Sequence, residues 1–287
     1  MCTIKSLFTD RKKWGQYFLQ DHIIINNIIC AIDPHFHQSL VEIGPGRGAL
    51  TNPISQYVEE LTVIEIDKNL SFLLQNQDSL RNKLTIYCQD VLTFNFYELA
   101  QKKGQLLRVF GNIAYNISTP LLFQLFKFIT IIKDMHLMLQ KEVVNRIVAC
   151  PGSKDYGRLS VMSQYYCQAN SILAITPKSF RPQPKVHSAL LRLVPHKIMP
   201  YGVKNLQSLS FITKRAFSQR RKILRNSLKD LVTMDILHKL DIDSQWRAEN
   251  VSVALYCRLA NWLTDNKFNN IGDKKTSFLY KTEYKSD

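Results

Sequence analysis

The stretch Leu40-Val41-Glu42-Ile43-Gly44-Pro45-Gly46-Arg47-Gly48-Ala49-Leu50-Thr51 reads as a short apolar strand, a glycine-rich turn and the start of a helix. Gly44, Gly46 and Gly48 let the backbone turn sharply without a Cβ clash, and they let a ligand approach the N–H groups at the helix start. A nucleotide-like cofactor is the natural occupant, and two kinds fit. Gly44-x-Gly46-x-x-Ala49 satisfies the relaxed dinucleotide fingerprint, with Glu65 at about the ~20-residue offset of a ribose-binding acid. Gly44-x-Gly46-x-Gly48 preceded by Glu42 equally fits the loop of S-adenosylmethionine (SAM) methyltransferases. A plain strand–turn–helix with no ligand is the third reading, and the loop alone leaves all three open.

Outward from the loop the pattern alternates. Apolar runs at 61–67, 84–88, 106–110 and 135–139 are separated by helical segments, which predicts a mostly parallel sheet flanked by helices. Asp21 is placed to cap a helix from His22 to Ala31. Ligands of such sheets gather outside the carboxyl ends of the strands. Glu65, Asp90 and Asn112 each stand at or just beyond such an end, and that convergence argues for a cofactor cleft. Two closing strands are expected at 172–175 and 189–194, joined through Phe180-Arg181-Pro182-Gln183-Pro184-Lys185-Val186, where the prolines stiffen the chain around Phe180.

The expected organisation is a basic arm over residues 1–13, an α/β domain over 14–197, a small all-α domain over 205–265 and a disordered polar tail over 267–287. The chain of 287 residues carries a net charge of +15, which attracts polyanions, nucleic acid first. Lys214, Arg215, Arg220, Arg221, Lys222, Arg225 and Lys229 concentrate that charge in the first helices of the small domain. No apolar run approaches the ~18 residues that span a bilayer, and the N-terminal stretch has no apolar signal core. A cytoplasmic protein is expected. The six cysteines form no CxxC pair and suggest reduced, buried thiols, and His35-x-His37 has no accompanying ligand set, so no metal is expected.

The segment Gly111-Asn112-Ile113-Ala114-Tyr115-Asn116 carries the most chemistry. The exocyclic amine of adenine is a poor nucleophile because its lone pair is delocalised into the ring. An asparagine oxygen and a backbone carbonyl that accept its two N–H bonds favour a more pyramidal nitrogen, and an adjacent aromatic can stack on the base. Asn112, the Ile113-Ala114 carbonyls and Tyr115 supply those parts in order. Positioning of this kind contributes on the order of 7–11 kcal/mol in the best cases.

These residues, together with Glu42-Ile43-Gly44-Pro45-Gly46-Arg47-Gly48, Glu65 and Asp90, resemble the ribosomal-RNA adenine dimethyltransferases. Phe180-x-Pro182-x-Pro184-Lys185-Val186-x-Ser188 resembles that family's second aromatic motif. Ala216-Phe217-Ser218-Gln219-Arg220-Arg221-Lys222 and Arg247-Ala248-Glu249-Asn250 are similar to its bacterial small-subunit branch, and the similarity runs from about Lys12 to about Leu263. The resemblance implies a class I SAM-dependent methyltransferase fold with an added helical domain. Gly44, Gly46 and their loop would contact the methionine part of S-adenosyl-L-methionine, with Tyr17 and Leu19 near it. Glu65 would take the ribose hydroxyls and Asp90 the cofactor's adenine amine. Asn112 would hold the target amine, with Tyr115 and Phe180 sandwiching the flipped base. Arg220, Arg221, Lys222 and Arg225 would grip rRNA. The implied substrate is 16S rRNA in the immature small ribosomal subunit, methylated twice at N6 on two adjacent adenosines of the 3′-terminal hairpin loop. A monomer is the expected state.

Two positions depart from the family pattern: Tyr17 stands where asparagine is usual, and Ala114 replaces the proline of Asn-Leu-Pro-Tyr. Three competing readings remain distinct. A large-subunit rRNA methylase conferring macrolide resistance is opposed by Arg247-Ala248-Glu249-Asn250. A non-catalytic assembly factor is opposed by the intact Asn112 and Tyr115. An NAD-dependent oxidoreductase is opposed by the basic helical domain.

Overall fold

The computed structural model describes residues 17–268. The expected basic arm and the tail beyond 268 lie outside the described residues. Contacts divide the chain into two compact units, one of residues up to 148 with 166–197 and one of 149–165 with 198 onward.

In the first unit, β1 (Phe18–Leu19) leads into α1 (His22–Ile32), whose N-terminus is capped by Asp21 accepting the N–H groups of Ile23 and Ile24. Ile25, Ile28, Ile29 and Ile32 share one helix face and are buried, while Ile23 is exposed. Each such buried isoleucine contributes about 1.5–3 kcal/mol. The alternation that follows is β2 (Ser39–Ile43), α2 (Thr51–Ile54), β3 (Leu61–Ile64), α3 (Lys68–Gln75), β4 (Leu84–Tyr87), α4 (Phe96–Lys103), β5 (Leu107–Asn112), α5 (Ser118–Lys127), β6 (Ile132–Gln140) and α6 (Lys141–Val148). The first unit resumes, after α7 (Arg158–Tyr166) of the second, with β7 (Cys167–Ile175), β8 (Phe180–Arg181) and β9 (Ser188–Pro195).

Among the described residues seven strands form one sheet in the order β4-β3-β2-β5-β6-β9-β7. The first five are mutually parallel, and β9 runs antiparallel to both β6 and β7. The strand order reverses between β2 and β5, so a crevice opens outside their carboxyl ends. Close approach of these two strands requires Gly111: a Cβ there would lie 2.2 Å from the Ile43 carbonyl oxygen. At the other end of β5, Arg108 secures the strand from below. Its Nε reaches both Asp134 oxygens at 2.9 and 3.2 Å and its Nη2 reaches Oδ2 at 2.9 Å. The remaining guanidinium N–H groups donate to Ile32 O, Asp33 O and Gln38 Oε1. A buried charge with every donor used avoids the penalty of an unpaired one.

The run at 172–175 expected as a short strand belongs to a longer one, because β9 supplies partners back to Cys167. Strand β8 pairs with β1 in register Phe18↔Arg181 and Leu19↔Phe180. Two residues carry no periodicity, so that pairing left no mark in the sequence.

The second unit contains α8 (Leu206–Ser218), α9 (Leu224–Ser227), α10 (Met234–Lys239) and α11 (Val253–Leu263). It also takes residues 149–165, which the sequence reading had assigned to the α/β domain. Side-chain packing is the reason: buried Tyr156 meets Phe217 edge-on at 6.2 Å, and the Gly152 N–H donates to Glu249 O at 2.7 Å. Arg247-Ala248-Glu249-Asn250 is the hub of this unit. Asn250 Oδ1 accepts the Arg247 N–H at 3.1 Å, and the Tyr256 hydroxyl donates to Ala248 O at 2.8 Å. The cysteine reading also needs correction, since Cys30, Cys88 and Cys150 are exposed and only Cys167 and Cys257 are buried among the described residues. No helix among the described residues is long and apolar enough to cross a membrane.

Candidate active site

The turn after β2 places three glycines at the mouth of the crevice, with Gly44 at φ +65° and Gly46 at φ +59°, a region natural to glycine. A Cβ on Gly46 would sit 3.1 Å from the Phe18 ring, which lies across the loop with the Arg47 guanidinium 4.9 Å above it. Below the loop is a cavity of about 800 Å³, lined among others by Tyr17, Leu19, Glu42, Gly44, Gly46, Glu65, Asp90, Asn112 and Tyr115. That volume suits a nucleoside-sized ligand. The fold therefore brings all the sequence-derived cofactor residues to one cleft.

The loop N–H groups bear on the choice between the cofactors left open above. Gly44 N–H donates to Ile64 O at 2.9 Å, Gly48 N–H to Pro45 O at 2.9 Å, and Gly46 N–H to Glu65 Oε2 at 3.1 Å. The three glycine N–H groups are thus engaged within the protein. Two buried carboxylates face the same space. Glu65, whose Oε1 accepts the Asp67 N–H at 3.0 Å, is raised in pKa by burial, against the opposing backbone hydrogen bonds. Glu42 is 2 % exposed, accepts the Thr51 hydroxyl at 2.7 Å, and is pushed up to about 8 by burial, with the Glu65 charge adding to the shift. Such a pocket offers acceptors to hydroxyls and amines. The residues fit SAM, whose ribose hydroxyls and adenine amine need acceptors. Asp90, at the end of β4, accepts the Leu92 N–H at 2.9 Å through Oδ1 and lines the same cavity.

Asn112 ends β5. Its Nδ2 donates to the Tyr17 carbonyl at 2.6 Å, which turns Oδ1 to the role of acceptor. The next N–H, of Ile113, donates to Met138 O at 3.1 Å and fixes the peptide plane. The Ala114 carbonyl accepts the Ile117 N–H at 3.1 Å. Tyr115 shares a 2.7 Å hydrogen bond with Ser188 through its hydroxyl and meets the Tyr17 ring at 5.2 Å with a 35° tilt. Burial raises the Tyr115 phenol further above its ordinary value, so the ring stays neutral.

Phe180 is not in this cleft. It is 1 % exposed and packs in the core with Leu19, Ile25 and Ile28, because pairing of β8 with β1 turns its ring inward. The aromatic beside Tyr115 is Tyr17 instead. The segment from Tyr17 to Gln20 is held over the cavity by Gln20 N–H donating to Ser179 O and by the Ser179 hydroxyl donating to Asp21, each at 2.9 Å. That hydroxyl, ahead of the capping N–H bonds, keeps the Asp21 carboxyl below its usual value. Sequence reasoning passed over Ser188 and the Tyr17 carbonyl as partners of the catalytic segment. Their partners lie 73 and 95 residues away in the chain, and no spacing rule reaches that far.

In the helical unit the four basic residues separate into two roles. Arg220 is a clamp, its Nε donating to Glu249 at 3.0 Å and its Nη2 to the Lys154 and Tyr156 carbonyls. Its side chain stays 46 % exposed, so the clamp leaves it on the surface. Arg225 is half-buried, with its guanidinium 4.0 Å from the Met234 sulfur, whereas Arg221 and Lys222 are exposed.

Comparison with known proteins agrees with this geometry. The family model described as "Ribosomal RNA adenine dimethylase" matches residues 7–265. A Klebsiella pneumoniae protein named "Ribosomal RNA small subunit methyltransferase A" is 58 % identical over 256 residues, 89 % of this chain and 94 % of that protein. Among solved structures, a dimethyladenosine transferase from Plasmodium falciparum superposes with a TM-score of 0.72 at 24 % identity, covering 84 % of this chain and 95 % of that one. The 23S rRNA methyltransferase ErmE superposes at 0.66 and 21 % identity, covering 86 % and 99 %. At those identities the two structures speak for the fold. With the family model spanning nearly all of the folded chain, the protein belongs to the ribosomal RNA adenine dimethylase family and is a SAM-dependent rRNA methyltransferase.

Proposed function

We propose that the chain dimethylates N6 of two adjacent adenosines in the 3′-terminal hairpin loop of 16S rRNA, acting in the cytoplasm as a monomer on the immature small ribosomal subunit. The observation that carries the chemistry is the pinned amide of Asn112: with Nδ2 committed to Tyr17 O at 2.6 Å, only Oδ1 faces the incoming amine.

Bound SAM supplies an electrophilic methyl on its sulfonium. The chain's own residues do the rest by holding. Glu65 accepts from the ribose hydroxyls and Asp90 from the cofactor's adenine amine, while Gly44, Gly46, Tyr17 and Leu19 wall the methionine end. Asn112 Oδ1 and the Ile113 carbonyl accept the two N–H bonds of the target nitrogen, which directs its lone pair toward the methyl. Tyr115 stacks on the flipped base. Flipping costs a few kcal/mol, least for a base already unpaired in a loop. Exposed Arg221 and Lys222 pair with rRNA phosphates, a sequence-independent grip whose strength falls with salt.

The test uses tritiated SAM, small subunits lacking these modifications, and mass spectrometry of the digested rRNA, with wild type and Asn112→Ala side by side. N6,N6-dimethyladenosine at the two hairpin positions, lost in the variant while calorimetric SAM binding persists, is the expected result. Wild type that binds the subunit but transfers no methyl would instead be an assembly factor. Sedimentation of the wild type tests the monomer.

A further inference from the structure

Tyr115 is constrained from two directions. The Tyr17 ring lies 5.2 Å from its own, and its hydroxyl meets Ser188 Oγ at 2.7 Å. Ser188 is fully buried and opens β9 between two partners, opposite Gln140 of β6 and Ile175 of β7. Its Oγ is therefore a fixed point of the sheet and not a surface rotor. A phenol ring left to itself swings about two side-chain torsions, and a stacking ring that swings presents no defined plane to a base. The stretch from Phe180 to Ser188 thus touches the catalytic segment through its last residue, which bonds Tyr115, since Phe180 itself is turned into the core.

We propose that Ser188 is a positioning residue for methyl transfer: its hydroxyl sets the plane of the Tyr115 ring against which the target adenine stacks. This rests on the adenine-methylation reading above. The bland alternative is that Ser188 merely satisfies its own buried hydroxyl, in which case its loss would lower stability without touching the chemistry.

Three variants separate these: Ser188→Ala, Tyr115→Phe and the double variant, each assayed on undermethylated small subunits with thermal melting and SAM calorimetry alongside. One hydrogen bond's worth of orientation corresponds to about a threefold to tenfold fall in kcat. That fall is expected in each single variant, with the SAM Kd and the KM for SAM within about twofold of wild type. The double variant should be no slower than either single, because both changes remove the same bond. Unchanged kcat in Ser188→Ala, or effects that multiply in the double variant, would overturn the assignment. If Ser188→Ala fails to fold, Tyr115→Phe removes the bond from its other end, and an unaltered kcat there overturns the assignment equally. Absence of dimethyladenosine from the wild-type reaction would overturn the parent reading and the positioning role with it.

Discussion

At Ala114 the backbone sits at φ −58° and ψ 132°, a conformation that proline adopts without strain. The alanine therefore gives up rigidity but not shape. Ala114→Pro should stabilise the protein by about 0.4–1 kcal/mol, chiefly by restricting the unfolded chain, and keep or raise the methylation rate. A large fall in rate, with SAM affinity unchanged, would show that catalysis needs this loop to move. Glu42 makes a second residue-scale prediction. Its carboxyl sits at about 8 in the folded protein against an ordinary 4.5. The stability owed to neutral Glu42 is complete below the ordinary value and is lost as pH rises through 8. Glu42→Gln keeps an acceptor for the Thr51 hydroxyl and removes the titration. The variant should lose less stability than wild type between pH 6 and 9, by an amount of order a few kcal/mol, read from melting curves at the two pH values. Parallel curves would mean that Glu42 is already ionised.

At the scale of elements, the carboxyl ends of β2 and β5 do most to create the site. They can stand side by side only because Gly111 has no side chain. Gly111→Ala would force a methyl to within 2.2 Å of Ile43 O and part the two strands. A loss of about 1–3 kcal/mol in denaturant melts is expected, together with loss of methyl transfer, since Asn112 is the next residue. What the sequence shows at this scale follows from range. The glycine loop, the acids at strand ends and Asn112-Ile113-Ala114-Tyr115 are contiguous segments whose residue types state their geometry. Strands β1 and β8 are two residues each and pair across the chain, so neither has a pattern to read. Phe180 was misplaced for that reason: flanking prolines showed that it is held, but only its pairing partner shows where it points.

For the whole molecule, the charge of +15 marks a protein that meets a polyanion, yet cations at neighbouring positions serve different ends. Arg220, exposed like Arg221 and Lys222, also clamps Glu249 and two carbonyls of the helical unit. Arg220→Ala should cost about 1–2 kcal/mol of stability, a modest figure because the ion pair is partly exposed. Arg221→Ala and Lys222→Ala should leave melting unchanged. Each should instead weaken rRNA binding and lower the slope of log K against log salt by about 1. Salt slopes unchanged from wild type in Arg221→Ala and Lys222→Ala would remove both from the RNA contact. The boundary between the units was only partly legible for a related reason. Residues 149–165 read as a loop at 150–154 and a helical stretch with no sign of which unit they join, and it is the burial of Tyr156 against Phe217 that assigns them to the second unit.

The bond from the Ile113 N–H to Met138 O also governs how the enzyme ages. Asparagine deamidates when the following backbone nitrogen turns on the side-chain carbonyl and closes a five-membered imide. At Asn112 that nitrogen is held in the sheet and belongs to a β-branched residue, so ring closure is blocked at the position where an acid would be most harmful. Prolonged storage should convert asparagines whose following N–H is unbonded well before the one on which methyl transfer depends.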